Sequence, residues 1–111
     1  MRIIAESTLE RAIDYYQDQG IESHLRSWMS YIRRATYQNP HDVKKHYRNA
    51  SIIDHKRVVF NIKGNNFRLI VDIEYRLGII FIVDFLTHPE YDTINVATVQ
   101  YQDSRFYQKR K

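Results

Sequence analysis

Four residues that can exchange protons or contact phosphate stand close together in this chain. His88, Glu90, Tyr91 and Asp92 directly follow a mostly apolar run at 79–86. An unperturbed imidazole titrates near neutral pH, so His88 could give or take a proton in a reaction. A solitary histidine is more often structural, and that alternative stays open. The cluster is nevertheless the strongest candidate for chemistry in the sequence.

A metal site is the weaker interpretation of the same cluster. The histidine and its two neighbouring carboxylates offer nitrogen and oxygen ligands, but no second histidine lies at ligand spacing. The chain has no cysteine, which excludes disulfides and thiolate zinc sites. Gly64-Asn65-Asn66 is typical of a hairpin turn and not of a phosphate-binding loop. We therefore expect no metal and no cofactor.

The elements that must position this cluster are three β-rich runs at 57–63, 67–75 and 79–86, separated by two short polar breaks. This pattern predicts an antiparallel meander. Successive side chains of a strand point to opposite faces, so the first two runs have one strongly apolar face. The third run is apolar throughout, as a strand covered on both faces would be. The polar face carries Asn61, Lys63, Arg68 and Asp72.

Cations on a sheet face could bind a phosphate. Cleavage of a phosphodiester builds negative charge on phosphorus, which a preplaced guanidinium such as that of Arg68 stabilises. Lys63 is the second candidate. The alternative is that Arg68 only pairs with Asp72 on its own strand. Tyr91 could stack on a base or orient the phosphate, or it could be a half-buried tyrosine that closes the core.

Helical signals precede the meander. Ser7-Thr-Leu-Glu10 fits a capping box, and Gly20 would end the first helix. Apolar residues at helical spacing predict a second helix over 21–35 with Trp28 in the core, and Asn39-Pro40 opens a short third one. Weak helical spacing returns after Tyr91. We therefore predict an α+β fold, a small antiparallel sheet with two N-terminal helices packed on one face and the other face partly open.

Length and charge limit the possible functions. A chain of 111 residues forms one domain, which we place at 1–103, followed by a basic and mobile tail at 104–111. Residues 24–57 hold 8 basic and 2 acidic side chains, and the tail holds 4 basic and no acidic ones. Such blocks favour a polyanionic partner, most simply nucleic acid. No apolar run has the length of a membrane span, and the N-terminus lacks a secretory signal, so we expect a cytoplasmic protein with no membrane partner.

Several of these segments resemble the HigB family of type II toxins. They are Val59-Phe-Asn-Ile, Gly64-Asn65, Arg68-Leu-Ile-Val and above all Thr87-His88-x-Glu90-Tyr91-Asp92. The match extends over about residues 1–97 and includes Asn39-Pro40-x-Asp42-x-Lys44. The resemblance implies a RelE-like fold and a metal-independent endoribonuclease, an mRNA interferase that cuts mRNA on the ribosome. It also implies a HigA-like helix-turn-helix antitoxin as partner. The toxin would then contact operator DNA only as part of its complex with this antitoxin.

The resemblance also implies roles for single residues. His88, Arg68 and Tyr91 match the motif positions and are expected to be catalytic. The expected RNA-binding or supporting residues are Lys63, Asn61, Glu90, Asp92 and Arg57. One position departs from the family pattern, which often has an arginine four residues before the Thr-His pair, where this chain has Val83. A non-catalytic RNA- or ribosome-binding inhibitor of translation stays open as the alternative function, and so does a protein that only docks an acidic partner.

Overall fold

The computed structural model describes residues 1–102 and residue 106. Its strands are β1 (Arg2–Ile4), β2 (Ser51–Ile52), β3 (Arg57–Ile62), β4 (Phe67–Glu74) and β5 (Ile79–Thr87). Its helices are α1 (Ser7–Tyr15), α2 (Glu22–Arg34), α3 (Pro40–His46) and α4 (His88–Tyr91). Short 3₁₀ turns follow α1 at Gln17–Gln19 and β4 at Tyr75–Leu77. The fold class is α+β, as the sequence predicts.

The strands form one sheet in the order β1-β5-β4-β3-β2. The predicted meander is confirmed, because β3, β4 and β5 pair as antiparallel neighbours. β1 instead runs parallel to β5, with Ile3 opposite Ile80. The sheet is therefore mixed and not wholly antiparallel. The stretch between these two strands contains α1 to α3 and then β2 to β4, which is long enough for the crossover that parallel neighbours require.

The main core lies between the helices and one face of the sheet. Along β4 it contains Phe67, Leu69, Val71 and Ile73, the alternating set that the sequence predicts. Trp28 on α2 is 3% exposed and packs edge-to-face on Phe60, with ring centroids 5.3 Å apart. The prediction that Trp28 belongs to the core is confirmed.

The two predicted helix starts have different outcomes. Asn39 caps α3 as predicted, because its Oδ1 accepts a hydrogen bond from the Asp42 amide at 3.1 Å. The predicted capping box at Ser7 is wrong. The residue before α1 is Glu6, which already has helical dihedral angles and makes no side-chain cap. The backbone carbonyls of Ala5 and Glu6 accept from the first amides of α1 instead.

A second, smaller core lies on the other face of the sheet. Val59, Ile70, Val83 and Leu86 are buried there, and the hydrophobic side chains packed over them include Ile94, Val96 and Val99 from the segment that follows α4. That part of the sheet face is therefore closed. The helix predicted after Tyr91 is absent from the described residues, where turns follow α4.

Arg57 gives the physical reason for this non-helical segment. Its guanidinium donates to the carbonyls of Val96 and Val99 at 3.2 and 2.5 Å. The same group makes two bonds of 2.8 Å to the carboxylate of Asp72. A cation on β3 that binds both carbonyls stabilises this non-helical path of the segment.

β5 shows no alternation in the sequence because both of its faces are covered, with Ile80 and Ile82 in the main core and Val83 in the second core, and it also contains a β-bulge. Ile70 lies opposite Asp84, but the next residue, Val71, lies opposite Ile82, so Val83 is an extra residue in β5. A bulge shifts the alternation of side chains between the two faces. Asp84 is 1% exposed, and its Oδ1 accepts from the Phe85 amide at 2.8 Å.

The ends of the predicted domain are only partly described. The basic tail predicted at 104–111 lies outside the described residues, except for Phe106. Phe106 is buried, with its ring 5.5 Å from Tyr15 and 5.9 Å from Tyr16. The boundary at 103 stays a prediction. Within the described part, the helices are all too short or too polar to cross a bilayer.

Candidate active site

The candidate site is built on the turn that joins β5 to α4. Thr87 caps α4, because its Oγ1 accepts from the Glu90 amide at 3.3 Å, and Glu90 Oε1 accepts from the Thr87 amide at 3.0 Å. This is a capping box, in which two amides that lack partners in the helix are satisfied reciprocally. Glu90 therefore supports the site by holding the turn, and its carboxylate is engaged in doing so.

A second bond ties this turn to the β3–β4 hairpin. The His88 amide donates to the carbonyl of Asn66 at 2.9 Å. The hairpin and the first residue of α4 are therefore joined by a main-chain hydrogen bond. The sequence gives no signal for this role of Asn66, because a main-chain carbonyl can act whatever its side chain is.

His88 is paired with a carboxylate one helical turn away. Its Nδ1 lies 3.2 Å from Oδ2 of Asp92, and the two side chains are 42% and 61% exposed. A carboxylate at Nδ1 favours the tautomer that carries its proton there and leaves Nε2 as the reactive nitrogen. Asp92 can therefore orient the imidazole, and both groups remain accessible to a substrate.

Arg68 lies beside Tyr91. Its guanidinium carbon is 5.7 Å from the centre of the tyrosine ring, within the range of a cation–π contact. Its Nη1 donates to the carbonyls of Asn65 and Phe67 at 3.0 and 3.2 Å. The alternative in which Arg68 pairs with Asp72 is wrong, because Asp72 is bound by Arg57.

The charge of Arg68 is thus not neutralised by a carboxylate. Among the residues that the structure describes, no acidic side chain forms an ion pair with it. Tyr91 stands three residues after His88 on the same helical turn, so the two side chains are neighbours on the helix surface. The structure therefore brings Arg68, Tyr91, His88 and Asp92 to one corner of the molecule.

Burial raises the pKa of the Tyr91 phenol above its ordinary value. The positive charge of Arg68 opposes this change in pKa, and the negative charge of Asp92 adds to it. The phenol is therefore protonated at neutral pH and available as a hydrogen-bond donor. Tyr91 also packs against the second core. It is therefore a half-buried tyrosine and a neighbour of Arg68 at the same time.

The remaining predicted site residues are dispersed. Asn61 lies directly opposite Arg68 on the neighbouring strand, which puts both side chains on one sheet face. Lys63 has a left-handed backbone with φ of 55°, and its ammonium donates to the carbonyl of Gln19 beyond the end of α1. It is therefore turned toward the helices and does not contact Arg68.

Arg57 was expected to bind RNA or to support the site. All three of its guanidinium nitrogens are engaged by Asp72, Val96 and Val99, which favours the supporting role. Its side chain is only 11% exposed. We assign Arg57 a structural role. The sequence did not reveal that Asp72 binds Arg57 and so leaves Arg68 without this carboxylate as a partner.

Val83, which departs from the family pattern, has a structural place as well. It is 1% exposed in the second core, and its carbonyl accepts from the Gln102 amide at 3.1 Å. An apolar residue suits this position because the segment after α4 covers it. The candidate site thus contains one arginine, Arg68, among the described residues of this corner.

Fold and site together define a small α+β protein with a cation, an imidazole and a phenol at one end of an antiparallel meander. The sequence model of the HigB toxin family, the RelE-like toxic component of a toxin-antitoxin system, matches residues 21–94. This is well over half of the chain and includes every residue of the candidate site, so the chain belongs to this family. Among curated proteins, none matches the chain.

Proposed function

We propose that this toxin is an endoribonuclease that cleaves mRNA, in dependence on the ribosome, and thereby inhibits translation. The observation that supports the proposal most is the convergence of Arg68, Tyr91 and His88 at one corner. An unpaired guanidinium, a protonated phenol and an oriented imidazole are the groups that cleavage of a phosphodiester needs. Membership of a toxin family is consistent with this activity.

In the proposed reaction the 2′-hydroxyl of one nucleotide attacks its own 3′-phosphate. The P–O5′ bond breaks, which leaves a 2′,3′-cyclic phosphate and a free 5′-hydroxyl. His88 transfers one proton through Nε2, either from the attacking hydroxyl or to the leaving oxygen, and water takes up or supplies the other, while Asp92 holds the ring. Arg68 stabilises the charge on the phosphorane oxygens. Tyr91 donates a hydrogen bond that positions the phosphate or the nucleotide.

This route uses side chains alone, so we propose that cleavage is independent of metal. The measurement is cleavage in the presence of excess EDTA, which we expect to leave the rate unchanged. A loss of activity that Mg²⁺ restores would contradict this part of the proposal.

The family implies an antitoxin partner. We propose that this partner is a HigA-like helix-turn-helix protein, and that the toxin reaches operator DNA only in its complex. We place the reaction in the cytoplasm, where the mRNA and the ribosome are. Co-expression with a neighbouring helix-turn-helix gene should restore growth, and co-purification would identify the complex.

The central experiment maps transcript ends after induced expression. We expect new mRNA 5′ ends with the wild-type chain and roughly 10²–10⁴-fold less cleavage with His88→Ala, the range that general acid–base catalysis contributes. His41→Ala is the matched control, because His41 is an exposed histidine on α3. Growth arrest without new 5′ ends would support the non-catalytic inhibitor instead. Cleavage by His88→Ala at the wild-type rate would remove His88 from the mechanism.

A further inference from the structure

A groove lies on the helix side of β3, apart from the corner that holds His88. It consists of two adjoining cavities of about 530 and 270 Å³, which share Tyr47 and Asn61. The larger cavity lies between α2 and the end of β3, and the smaller one lies between the end of α3 and the β3–β4 hairpin. We name this surface the edge groove. The residues that line it include Trp28, Tyr31, Tyr47, Arg48, Asn61 and Lys63.

The groove exists because β2 is too short to cover its neighbour. β2 pairs only with Val58 and Val59. Beyond these two residues, no strand among the described residues lies along the outer edge of β3, the edge away from β4. The carbonyl of Arg57 accepts from Ile53 on this outer side. Main-chain groups alternate along a strand, so those of Asn61 point to the same open edge.

The chemistry of the edge groove suits a polyanion. Among the described residues that line it there is no carboxylate. Lys63 and Arg48 supply positive charge, and neither forms an ion pair with an acidic residue in the part of the chain described. Two cations of α2 differ, because Arg26 is held by Glu10 and Glu22, and Arg33 by Glu6.

Aromatic rings accompany these cations. Tyr31 and Tyr47 meet edge-to-face with centroids 5.6 Å apart, and both are partly exposed. Trp28 forms part of the wall, and its indole N–H has no hydrogen-bond partner among the described residues. Basic side chains beside aromatic faces are the combination that binds single-stranded nucleic acid, because bases stack on the rings while cations contact the phosphates.

The edge groove is also continuous with the candidate active site. Asn61 lines both cavities and lies opposite Arg68 on the next strand, at a separation of about 5 Å between strands. Gly64 in the hairpin lines the smaller cavity, and Asn66 in the same hairpin is bonded to His88. A chain that leaves Arg68 over this edge would enter the groove directly.

We propose that the edge groove binds the single-stranded RNA segment that flanks the scissile phosphate. Its phosphates contact Lys63 and Arg48, and one base stacks against Tyr31 and Tyr47. This inference rests on the proposed endoribonuclease function and adds to it a second binding region outside the corner where cleavage occurs. It gives a role in RNA binding to α2, α3 and their aromatic residues.

The test measures affinity for RNA by fluorescence anisotropy. Its probe is a labelled single-stranded RNA of about 12 nucleotides, which is long enough to span both regions. All proteins carry His88→Ala so that the probe stays intact. The groove variant is Arg48→Gln with Lys63→Gln. The control is Lys45→Gln with Arg76→Gln, which removes the same charge at two exposed positions outside the groove.

Each phosphate contact on a single strand contributes about 0.7 to the slope of log affinity against log salt. The groove variant should therefore lower the slope by about 1.4 and weaken binding roughly tenfold at low salt, while the control keeps the slope. Tyr31→Leu should weaken binding roughly tenfold without changing the slope, because stacking does not release counterions. Thermal melts of each protein would show that the variants are folded.

The failures are distinguishable. If the His88-containing wild type cleaves RNA but the folded groove variant binds the probe as the control does, the inference is overturned and the proposed function stands. The inference is likewise overturned, and the proposed function stands, if the groove proves to bind a protein partner. If the wild type neither binds nor cleaves RNA, on or off the ribosome, the proposed function fails and the inference fails with it.

Discussion

Arg57 should be one of the most important polar residues for stability in this chain. Its guanidinium and the carboxylate of Asp72 are 11% and 21% exposed and make two bonds of 2.8 Å. The same guanidinium also donates to the carbonyls of Val96 and Val99. Arg57→Ala would leave Asp72 without its partner and free the segment that covers the second core.

The magnitude follows from these contacts. Removal of one partner from a fully buried ion pair costs about 3–5 kcal/mol. Asp72 keeps some access to water, which lowers that cost, but two carbonyls lose a charged donor, which adds to it. We therefore expect Arg57→Ala to lower the free energy of unfolding by about 3 kcal/mol. For a domain of this size that corresponds to a decrease in Tm of roughly 10–15 °C.

The neighbouring residue supplies a matched control. Lys56 pairs with Glu74 at 2.9 Å, but the two side chains are 53% and 50% exposed. Exposed pairs contribute little, so Lys56→Ala should leave the free energy of unfolding almost unchanged. The comparison separates the effect of a partly buried cation from the effect of removing any cation from this part of the chain.

Urea denaturation would measure the free energies, and a double-mutant cycle with Asp72→Ala would isolate the pair. Hydrogen exchange adds a local measurement. The Val99 amide donates to the Asn95 carbonyl within the covering segment, and the Gln102 amide donates to the Val83 carbonyl of β5 beneath it. Both should exchange faster in Arg57→Ala than in Lys56→Ala. The reasoning would be refuted if the two variants were equally stable and their amides exchanged at the same rate.

Three further predictions concern the acid–base groups. Asp92→Asn should slow RNA cleavage less than His88→Ala does and should shift the pH–rate profile, because the amide cannot orient the imidazole as the carboxylate does; an unchanged profile would contradict this. Tyr91→Phe should slow cleavage without shifting the pH–rate profile near neutral pH. In the wild type, NMR should show the phenol of Tyr91 titrating above its ordinary pKa, because burial raises that pKa. Burial raises the pKa of Tyr47 and of Tyr75 to about 12. The folded chain therefore keeps protons that the unfolded chain releases near pH 10, so the free energy of unfolding should fall between about pH 10 and 12. Urea denaturation should show a less steep fall in Tyr75→Phe, which lacks one of the two phenols.

Local patterns in the sequence were sufficient for most of the secondary structure. Alternation along 67–74 identified the buried face of β4, and helical spacing placed Trp28 in the core, because both periods are fixed by backbone geometry. The Thr87-His88-x-Glu90-Tyr91-Asp92 string predicted a site at the end of β5. The family match over residues 21–94 is consistent with that interpretation.

Tertiary contacts decided which predicted residues meet. Arg57 and Arg68 both lie on strands with similar patterns, yet Arg57 takes Asp72 and leaves Arg68 beside Tyr91. The choice depends on strand register, since Arg57 lies directly opposite Asp72 across the β3–β4 pair. No local pattern encodes a pairing between residues that are fifteen positions apart.

The sequence by itself thus determined the α+β class, the meander and the position of His88, because these follow from side-chain period and turn chemistry. Only the tertiary structure decided that β1 is parallel, that the segment after α4 closes the second core, and that an open edge of β3 leads into a groove. These features depend on contacts between distant parts of the chain, whose free energies are set by burial and charge pairing in three dimensions.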